Sequence, residues 1–388
     1  MSAFLLDLTH TSHTRARTGI QRVVRALHRE LGTHAAPVTY DPYLEEWRAL
    51  QPWELANLSA TAAGTTRGAH WPWLARWRSR WRFFNTRPGD DTLRGDYRGF
   101  LTAEVFSPDV AANLPEFFPR VAVFHDAIAL RFPELSPAGT VARFPAYLQD
   151  LLRFDGIAAV SDESRDSLLA YWGWLGVTNP PPVKTISLGV DLPAVAEISP
   201  AAPDSAPPVV LSVGTLEGRK NHLSLLEACE QRWQRGDKFE LRIIGSSHRQ
   251  TGRDALAMIS TLQLAGRPLR YDGPLGDGAV DAAYAGCAFT VYPSFAEGFG
   301  LPVIESLARG RPCICSASGA LGELSRGGGC VALSSMDATS LATAIAQLLA
   351  SPAELAALSA AARTRTFKTW STYAAEVAAW MQALPHRG

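Results

Sequence analysis

Short apolar runs alternate with helical patterns along most of the chain. The first series of predicted strands comprises 3–8, 120–126, 156–164 and 183–191. In a helix predicted over 18–31, apolar residues recur at the three- and four-residue spacing of one helix face. Ser161 stands where it would cap the helix that follows the third strand. Nearly continuous apolar strands that alternate with helices predict a parallel sheet covered on both faces.

The same alternation restarts after a stretch rich in proline and alanine, which we interpret as a linker. Strands are predicted at 209–216, 239–247, 269–275, 288–294 and 312–318, and helices at 221–235, 252–266 and 277–286. The sequence Ser-Pro-Ala-Glu at 351–354 predicts the start of a further helix. Two such series in 388 residues predict an α/β protein with two Rossmann-like, doubly wound parallel-sheet domains that face each other across a cleft.

The predicted domain limits follow these patterns. They are an N-terminal domain 1–191, a linker 192–208, a C-terminal domain 209–366 and a last helical segment 367–388. An insertion at 41–100 breaks the alternation and is dense in tryptophan and arginine, most of all over 70–87. Two interpretations of 70–87 stay open. Its aromatic stripe packs on the first domain, or the segment lies as a basic amphipathic helix on an anionic membrane.

Composition excludes several classes of protein. Lys+Arg and Asp+Glu balance at 37 each, and no basic nucleic-acid motif occurs, so no nucleic-acid partner is expected. The five cysteines form no CxxC pair, which favours reduced thiols in a cytosolic protein. The N-terminus lacks the basic region of a signal peptide, and no apolar run reaches the ~20 residues of a membrane span. The expected location is cytoplasmic, with peripheral contact at the inner face of the membrane if 70–87 binds lipid.

A glycine-rich turn follows the strand predicted at 288–294. Gly298 and Gly300 allow backbone to approach a ligand closely, and Pro302 suits the first turn of a helix. The amides over 299–303 and the helix dipole then make an anion site suited to a phosphate.

Two carboxylates flank this turn with seven residues between them. Glu305 lies about one turn into the predicted helix, where it could accept hydrogen bonds from a ribose diol. Glu297 lies before the turn. Two surface glutamates on a capped helix would give the same spacing, but the complete pattern E-G-F-G-L-P-x-x-E after a strand is far more specific.

At these residues the sequence resembles the retaining GT-B glycosyltransferases of family 4, which include bacterial polysaccharide and lipopolysaccharide mannosyl-, glucosyl- and rhamnosyltransferases. The segment PSFAEGFGLPVIESLARGRPCICS is similar to the E-x7-E signature of that family. Further similar segments are 7–31, the N-terminal glycine loop and helix; 123–134, a His-Asp element; 210–228, a phosphate-binding strand-loop-helix; and 367–384, a terminal helix that crosses back to the first domain. The resemblance covers most of the chain except 41–100.

The resemblance implies roles for individual residues. Arg219 and Lys220 would neutralise the departing diphosphate, Glu297 would contact the donor sugar, and His125 would meet the transferred sugar, so these four are the predicted catalytic residues. The predicted donor-binding residues are Gly19, Gly214, Thr215, Gly245, Gly298, Phe299, Gly300, Leu301 and Glu305. Many relatives have Gly-Arg where this chain has Gly214-Thr215, which leaves the diphosphate clamp to Arg219 and Lys220.

The implied activity is transfer of a hexose from a nucleotide diphosphate sugar to a hydroxyl of a glycan or lipid-linked glycan acceptor, with retention at the anomeric carbon. No Asp-x-Asp occurs in the chain, so we expect no metal and no cofactor. Two alternatives stay open: a sugar-nucleotide 2-epimerase of the same architecture, and a non-catalytic subunit of a glycan assembly complex. A dinucleotide-binding dehydrogenase is disfavoured because no strand is followed by Gly-x-Gly-x-x-Gly.

Overall fold

Backbone contacts divide the chain into two units in the computed structural model, which describes residues 4–59, 68–73, 93, 97–192 and 207–385. The first unit comprises Met1–Asp126, Arg143–Gly189 and Trp370–Gly388, and the second comprises Ala127–Ala142 and Val190–Thr369. The segment Ala127–Ala142 thus groups with the second unit, whereas the sequence pattern placed it within 1–191. A Cβ built on Gly218 would lie 3.5 Å from the carbonyl oxygen of Leu135, so this segment packs against a loop of the second unit.

Within the described residues, the first unit contains a seven-stranded sheet in the order β3-β2-β1-β4-β5-β6-β7. Its strands are β1 Phe4–Asp7, β2 Ala35–Asp41, β3 Glu46–Ala49, β4 Phe100–Thr102, β5 Arg120–Phe124, β6 Gly156–Ala159 and β7 Val183–Thr185. All neighbours pair in parallel except β3, which pairs antiparallel with β2 at the sheet edge. The predicted insertion 41–100 therefore begins as an edge hairpin of this sheet.

The second unit contains, over its described part, a six-stranded parallel sheet in the order β10-β9-β8-β11-β12-β13. Its strands are β8 Val209–Val213, β9 Glu240–Ile244, β10 Leu269–Tyr271, β11 Phe289–Tyr292, β12 Cys313–Ser316 and β13 Cys330–Leu333. The strand order reverses between β8 and β11. In open α/β sheets, the loops at the carboxyl ends of the two strands at such a reversal form the ligand-binding crevice. Each sheet is doubly wound, as predicted.

Helices cover both sheets. They are α1 Gly19–Leu31, α2 Pro52–Ser59, α3 Pro108–Ala112, α4 Ile128–Arg131, α5 Ala138–Asp150, α6 Asp162–Trp174, α7 His222–Gln234, α8 Arg253–Leu264, α9 Asp277–Gly286, α10 Leu301–Ala308, α11 Gly319–Ser325, α12 Ala338–Ala350, α13 Pro352–Arg363 and α14 Trp370–Ala383. The predicted caps form: Ser161 accepts from the amide of Ser164, and Ser351 accepts from the amide of Glu354.

The last helix, α14, belongs to the first unit and packs on α1. It buries one face, with Tyr373, Val377 and Met381 fully shielded from solvent. Its end lies so close to β6 that a Cβ on Gly156 would come within 2.9 Å of the Trp380 ring. The chain therefore returns to its first unit after completing the second.

The Trp/Arg-rich segment 70–87 is described only at its start, and residues 74–87 lie outside the described residues. In that start, Trp71 stacks on the buried ring of His13 with 3.9 Å between ring centroids, and Arg48 lies 5.6 Å from the Trp71 ring. The first residues of the segment thus pack on the first unit. The linker predicted at 192–208 also falls outside the described residues from 193 to 206.

Among the residues that the structure describes, no single helix is long and apolar enough to cross a membrane. Helices α12 and α13 reach that length and composition together, but they bend by 97° where they join. Helix α12 places Leu341 and Ile345 in the core of the second unit.

We expect Met381→Ala to lower the free energy of unfolding of the first unit by about 2–5 kcal/mol, because truncation of a buried methionine loses its burial and leaves a cavity. The neighbouring Gln382 is exposed, so Gln382→Ala is the matched control. Urea unfolding followed by tryptophan fluorescence measures both variants. Equal stabilities would contradict the packing of α14 on the first unit.

Candidate active site

Two loops meet at the carboxyl ends of β8 and β11. The loop after β8 ends in a short 3-10 turn, Gly218–Lys220, and the loop after β11 runs from Pro293 to Gly300. The amide of Phe295 donates to the carbonyl of Arg219 at 2.9 Å, which ties the second loop to the first. The pattern of strands and turns therefore brings the predicted residues 219, 220 and 297 to one place.

Glu297 pairs with both predicted cations. Its Oε2 accepts from Nη1 of Arg219 at 2.8 Å, and its Oε1 accepts from Nζ of Lys220 at 2.6 Å. Arg219 also pairs with Glu217, with 2.8 Å between Nη2 and Oε1. Lys220 and Glu297 are buried, at 8% and 9% exposure. Buried charges are stable only when paired and hydrogen-bonded, and this cluster meets that condition.

Tyr292, the last residue of β11, contacts both members of the buried pair. Its hydroxyl accepts a hydrogen bond from Nζ of Lys220 and donates to Oε1 of Glu297 at 3.2 Å. The Lys220 ammonium also lies 4.6 Å from the centroid of the Tyr292 ring, within range of a cation–π interaction.

The cluster shifts the ionisation of its members. Burial opposes the charge on Glu297, but Arg219 and Lys220 outweigh it and lower the pKa of this carboxyl from its usual 4.5 to about 2. Burial lowers the pKa of Lys220, and Glu297 opposes that effect. Burial and the nearby Lys220 charge lower the pKa of His222 to about 3, so this imidazole is neutral. Glu297 is therefore a carboxylate at neutral pH and adds no proton to the site.

Asn221 fixes the backbone directly after Lys220. It adopts the left-handed conformation, with φ 54°, where the 3-10 turn ends and α7 begins. Asparagine tolerates this region better than most residues. Its side-chain amide donates to the carbonyl of Met336 at 2.7 Å, which anchors the turn to the loop before α12.

The predicted phosphate turn opens α10. Gly300 caps the helix with φ 104°, and a Cβ there would lie 2.6 Å from a methyl of Leu321, so only glycine fits. The expectation that the Val303 amide is available is wrong, since it donates to the carbonyl of Gly300 at 3.0 Å. Among the described residues, the backbone amides of Phe299, Gly300 and Leu301 have no hydrogen-bond acceptor. These three amides are the ones left to bind an anion.

Glu305 lies on α10, buried at 6% exposure. Its Oε2 accepts from the hydroxyl of Tyr284 at 3.4 Å, and its backbone carbonyl accepts from Arg309. Both glutamates of the signature thus accept from a tyrosine hydroxyl, and Glu297 in addition pairs with two cations.

The other predicted glycines line the neighbouring loops. Gly245 has φ 149°, and a Cβ there would lie 2.0 Å from the carbonyl oxygen of Gly214, so the loops after β8 and β9 touch through backbone. Thr215 lies beside Ser246, with 3.4 Å between hydroxyl oxygens. The hydroxyl of Tyr271 donates to the carbonyl of Gly245 at 2.8 Å. These contacts hold the loops after β8 and β9, which carry predicted donor-binding residues, against each other.

Two predicted residues belong to the first unit. Gly19 begins α1, and nothing lies within 4 Å of where its Cβ would be. His125 follows β5 and is buried, with Nε2 2.7 Å from the carbonyl oxygen of Ala103, and burial lowers its pKa. One ring nitrogen of His125 is thus satisfied by the backbone. Its contact with a transferred sugar stays a prediction.

Sequence reasoning missed three members of the cluster: Glu217, His222 and Tyr292. Tyr292 carried a usable signal, because a polar aromatic at the last position of a buried strand lies at the carboxyl edge of the sheet. Glu217 also carried a signal, because it stands two residues before Arg219 and is an acidic residue beside the two cations of the turn. Sequence spacing did not indicate that Glu297 would pair with both cations.

The Glu297 cluster predicts an acid-dependent loss of stability. A carboxyl whose folded pKa is about 2 stabilises the fold above its usual 4.5 and loses that contribution as the pH falls towards 2. We expect Glu297→Gln to lose on the order of 3 kcal/mol at pH 7 and to depend less on pH between 4.5 and 2 than the parent protein. Denaturant unfolding at several pH values measures this, with the exposed Glu227→Gln as control. Parallel pH curves for parent and Glu297→Gln would contradict it.

Comparison with known sequences finds a family that is similar to most of the second unit. A profile of the family described as "Glycosyl transferases group 1" matches residues 196–365. The serotype-specific mannosyltransferase WbdA of Escherichia coli is 29% identical over 333 residues, covering 80% of this chain and 38% of WbdA. The O-antigen chain mannosyltransferase B of Escherichia coli is 30% identical over 232 residues, covering 56% of this chain and 58% of that protein. The chain thus spans less than two thirds of the length of these curated relatives.

Solved structures match over the whole chain. Sucrose-phosphate synthase from Thermosynechococcus elongatus has a TM-score of 0.71 at 18% identity and covers 99% of both chains. HepE of Anabaena in complex with UDP-glucose has a TM-score of 0.69 at 15% identity and covers 99% of this chain and 100% of its own. At this identity the likeness concerns the fold, which confirms the predicted class. The chain has the GT-B fold of two parallel-sheet α/β domains, and its residues 196–365 are similar to the family described as "Glycosyl transferases group 1".

Proposed function

We propose that this protein is a metal-independent, retaining glycosyltransferase that moves a hexose, with mannose as the first candidate, from a nucleotide diphosphate sugar to a hydroxyl of a glycan or lipid-linked glycan. The observation that carries this proposal is the buried cluster of Arg219, Lys220 and Glu297 at the strand reversal of the second sheet. A guanidinium and an ammonium held in one place by a carboxylate suit a ligand that develops negative charge.

Departure of the diphosphate is the step that this cluster would assist. As the glycosidic C–O bond breaks, negative charge grows on the phosphate oxygens, and cations already held in place stabilise it without reorganisation. Arg219 offers a planar, bidentate donor, whereas Lys220 offers a compact point charge. The amides of Phe299, Gly300 and Leu301 at the start of α10 would add donors and the positive end of the helix dipole.

The remaining predicted residues would orient the donor. Glu305, buried on α10, would hold the ribose hydroxyls, and Glu297 would accept from hydroxyls of the donor sugar. The loops of Gly214, Thr215 and Gly245 would shape the base pocket. Their backbone contacts leave no room for side chains at Gly245. Gly19 would donate its backbone amide to the diphosphate, and His125 would meet the transferred sugar, as the resemblance implies.

Retention follows from a front-face reaction. The acceptor hydroxyl attacks the anomeric carbon from the face that the phosphate leaves, so one C–O bond breaks as another forms. The departing phosphate oxygen takes the proton of the acceptor. No protein nucleophile is required, and a low-pKa Glu297, already engaged with two cations, suits a binding role better than proton transfer.

The names of the relatives support the choice of sugar and pathway. Both E. coli relatives are mannosyltransferases, one serotype-specific and one of the O-antigen chain. We therefore place the reaction in the synthesis of a cell-surface polysaccharide. The base stays open among guanine, uracil and thymine. HepE is in complex with UDP-glucose, whereas GDP-mannose is the commoner donor of mannosyl transfer in the family that the sequence resembles.

We expect one nucleotide among UDP, GDP and dTDP, with its sugar, to stabilise the protein by ~3 kcal/mol at a hundredfold excess over Kd. With that donor, Lys220→Met should lower kcat/KM at least a hundredfold, as loss of an oxyanion donor typically does. The exposed Lys238→Met is the matched control and should leave kcat/KM unchanged. Thermal shift measures binding, and proton NMR of the product measures transfer and the anomeric configuration.

Each alternative gives a different result in this assay. An epimerised sugar nucleotide from donor alone would identify the 2-epimerase. Absence of any stabilisation by nucleotide sugars would favour the non-catalytic subunit and overturn the proposal. An inverted product would overturn retention alone.

Metal independence has its own test. Because side-chain cations and helix amides would carry the diphosphate, we expect the transfer rate to persist in EDTA. The rate is measured before and after chelation and again after addition of manganese. A rate that EDTA abolishes and manganese restores would contradict this part of the proposal.

A further inference from the structure

Tyr292 occupies a central position in the cluster without being part of either charged side chain. It is buried at 4% exposure at the end of β11. One oxygen atom accepts from Lys220 and donates to Glu297, while the ring lies against the ammonium. A Cβ built on Gly214 would lie 3.8 Å from the ring, so the backbone after β8 closes on its other side.

We infer that Tyr292 is a positioning residue of the donor site, whose hydroxyl and ring keep the Lys220 ammonium charged and seated against Glu297. The inference rests on the proposed function, because it assigns Tyr292 a part in stabilising the leaving diphosphate through Lys220. On this assignment Tyr292 acts through Lys220 and not through contact with the substrate.

The charge balance of the cluster explains why a phenol suits this position. Arg219 and Lys220 face Glu217 and Glu297, so the cations and carboxylates balance. His222 is neutral, and burial with the nearby Glu297 raises the pKa of Tyr292 well above its usual value. A neutral hydroxyl serves both charges at once, whereas a further ionised side chain would upset the balance.

The Tyr292 hydroxyl stabilises the Lys220 ammonium more than an apolar packing contact would. A buried ammonium loses its water and needs acceptors for its protons. Tyr292 supplies an acceptor oxygen, and Glu297 supplies the carboxylate oxygen. Without the Tyr292 hydroxyl, Lys220 keeps only the Glu297 carboxylate of these two side-chain acceptors. Its ammonium therefore deprotonates more readily.

Tyr292→Phe tests this because it removes only the hydroxyl. The chain has four lysines, Lys184, Lys220, Lys238 and Lys368, so lysine labelled with 13C at the ε-carbon gives few signals, and Lys220→Met assigns the one of interest. We expect the titration midpoint of Lys220 to fall by at least half a pH unit in Tyr292→Phe, since loss of one hydrogen bond to a charge changes a pKa by about this much.

Kinetics give a second readout that a purely structural role would not move. In Tyr292→Phe the high-pH limb of kcat/KM should shift to lower pH by the same amount. At pH values above the Lys220 midpoint, kcat should fall at least about threefold, which is the change in the charged fraction that half a pH unit produces. The KM of the donor should change little, because the lost interaction acts at the leaving group. Lowering the pH should restore the rate towards that of the parent protein.

Tyr373→Phe is the matched control. Tyr373 is fully buried on α14, and its hydroxyl has no hydrogen-bond partner among the residues described. The control therefore removes a buried phenolic hydroxyl far in sequence from the cluster. It should leave both the Lys220 titration and the pH profile unchanged.

The outcomes separate this inference from the proposed function. An unchanged Lys220 titration and pH profile in an active, folded Tyr292→Phe would reduce Tyr292 to packing and overturn the inference. If the parent protein transfers no sugar, the proposed function fails, and the titration alone still tests the coupling of Tyr292 to Lys220. If Tyr292→Phe does not fold, through-space NMR contacts between the Lys220 ε-protons and the Tyr292 ring in the parent protein decide, and their absence overturns the inference.

Discussion

The ion pair between Lys220 and Glu297 is the constraint on which the candidate site depends. Both side chains are buried, and each reaches the pair from a different loop, one after β8 and one after β11. An unpaired charge at either position would be costly, so the two loops are stable only together. The contact between the Phe295 amide and the Arg219 carbonyl gives the same pairing a backbone link. The strand reversal of the second sheet brings these loops together, and the ion pair keeps them there.

The surrounding backbone allows this pair to form. Asn221 ends the turn that carries Lys220 in a left-handed conformation, and its amide holds the turn to the Met336 carbonyl. Gly300 turns the chain into α10 directly after the loop of Glu297, at a place where Leu321 leaves no room for a side chain. The long side chains of Lys220 and Glu297 thus extend from short turns whose backbone conformation is restricted. Preorganisation of this kind reduces the cost of orienting charged groups when a ligand binds.

Sequence reasoning predicted the two α/β sheets from periodicity, and the structure confirms them. From local motifs it also named Arg219, Lys220 and Glu297, which the structure brings into contact. It could not recover Tyr292 or the double pairing of Glu297, since these depend on which loops the sheet order places side by side. It also assigned 127–142 by position in the chain, whereas the structure groups that segment with the second unit through contacts such as that of Leu135 with the Gly218 loop. Contacts between residues that are far apart in the sequence produce no pattern at short sequence spacing. The roles of the site residues stay predictions.

The double pairing also reconciles two competing roles of Glu297, as partner of the cations and as acceptor for the donor sugar. A diphosphate adds negative charge to a cluster in which Glu217 and Glu297 already balance Arg219 and Lys220. Phosphate oxygens that approach the cations would therefore weaken the hold of Glu297 on them. A carboxylate released in part from its cations needs other donors, and hydroxyls of the donor sugar are of the right kind. On the proposed function, Glu297 thus holds the cations ready before the donor binds and accepts from the sugar once the diphosphate engages them.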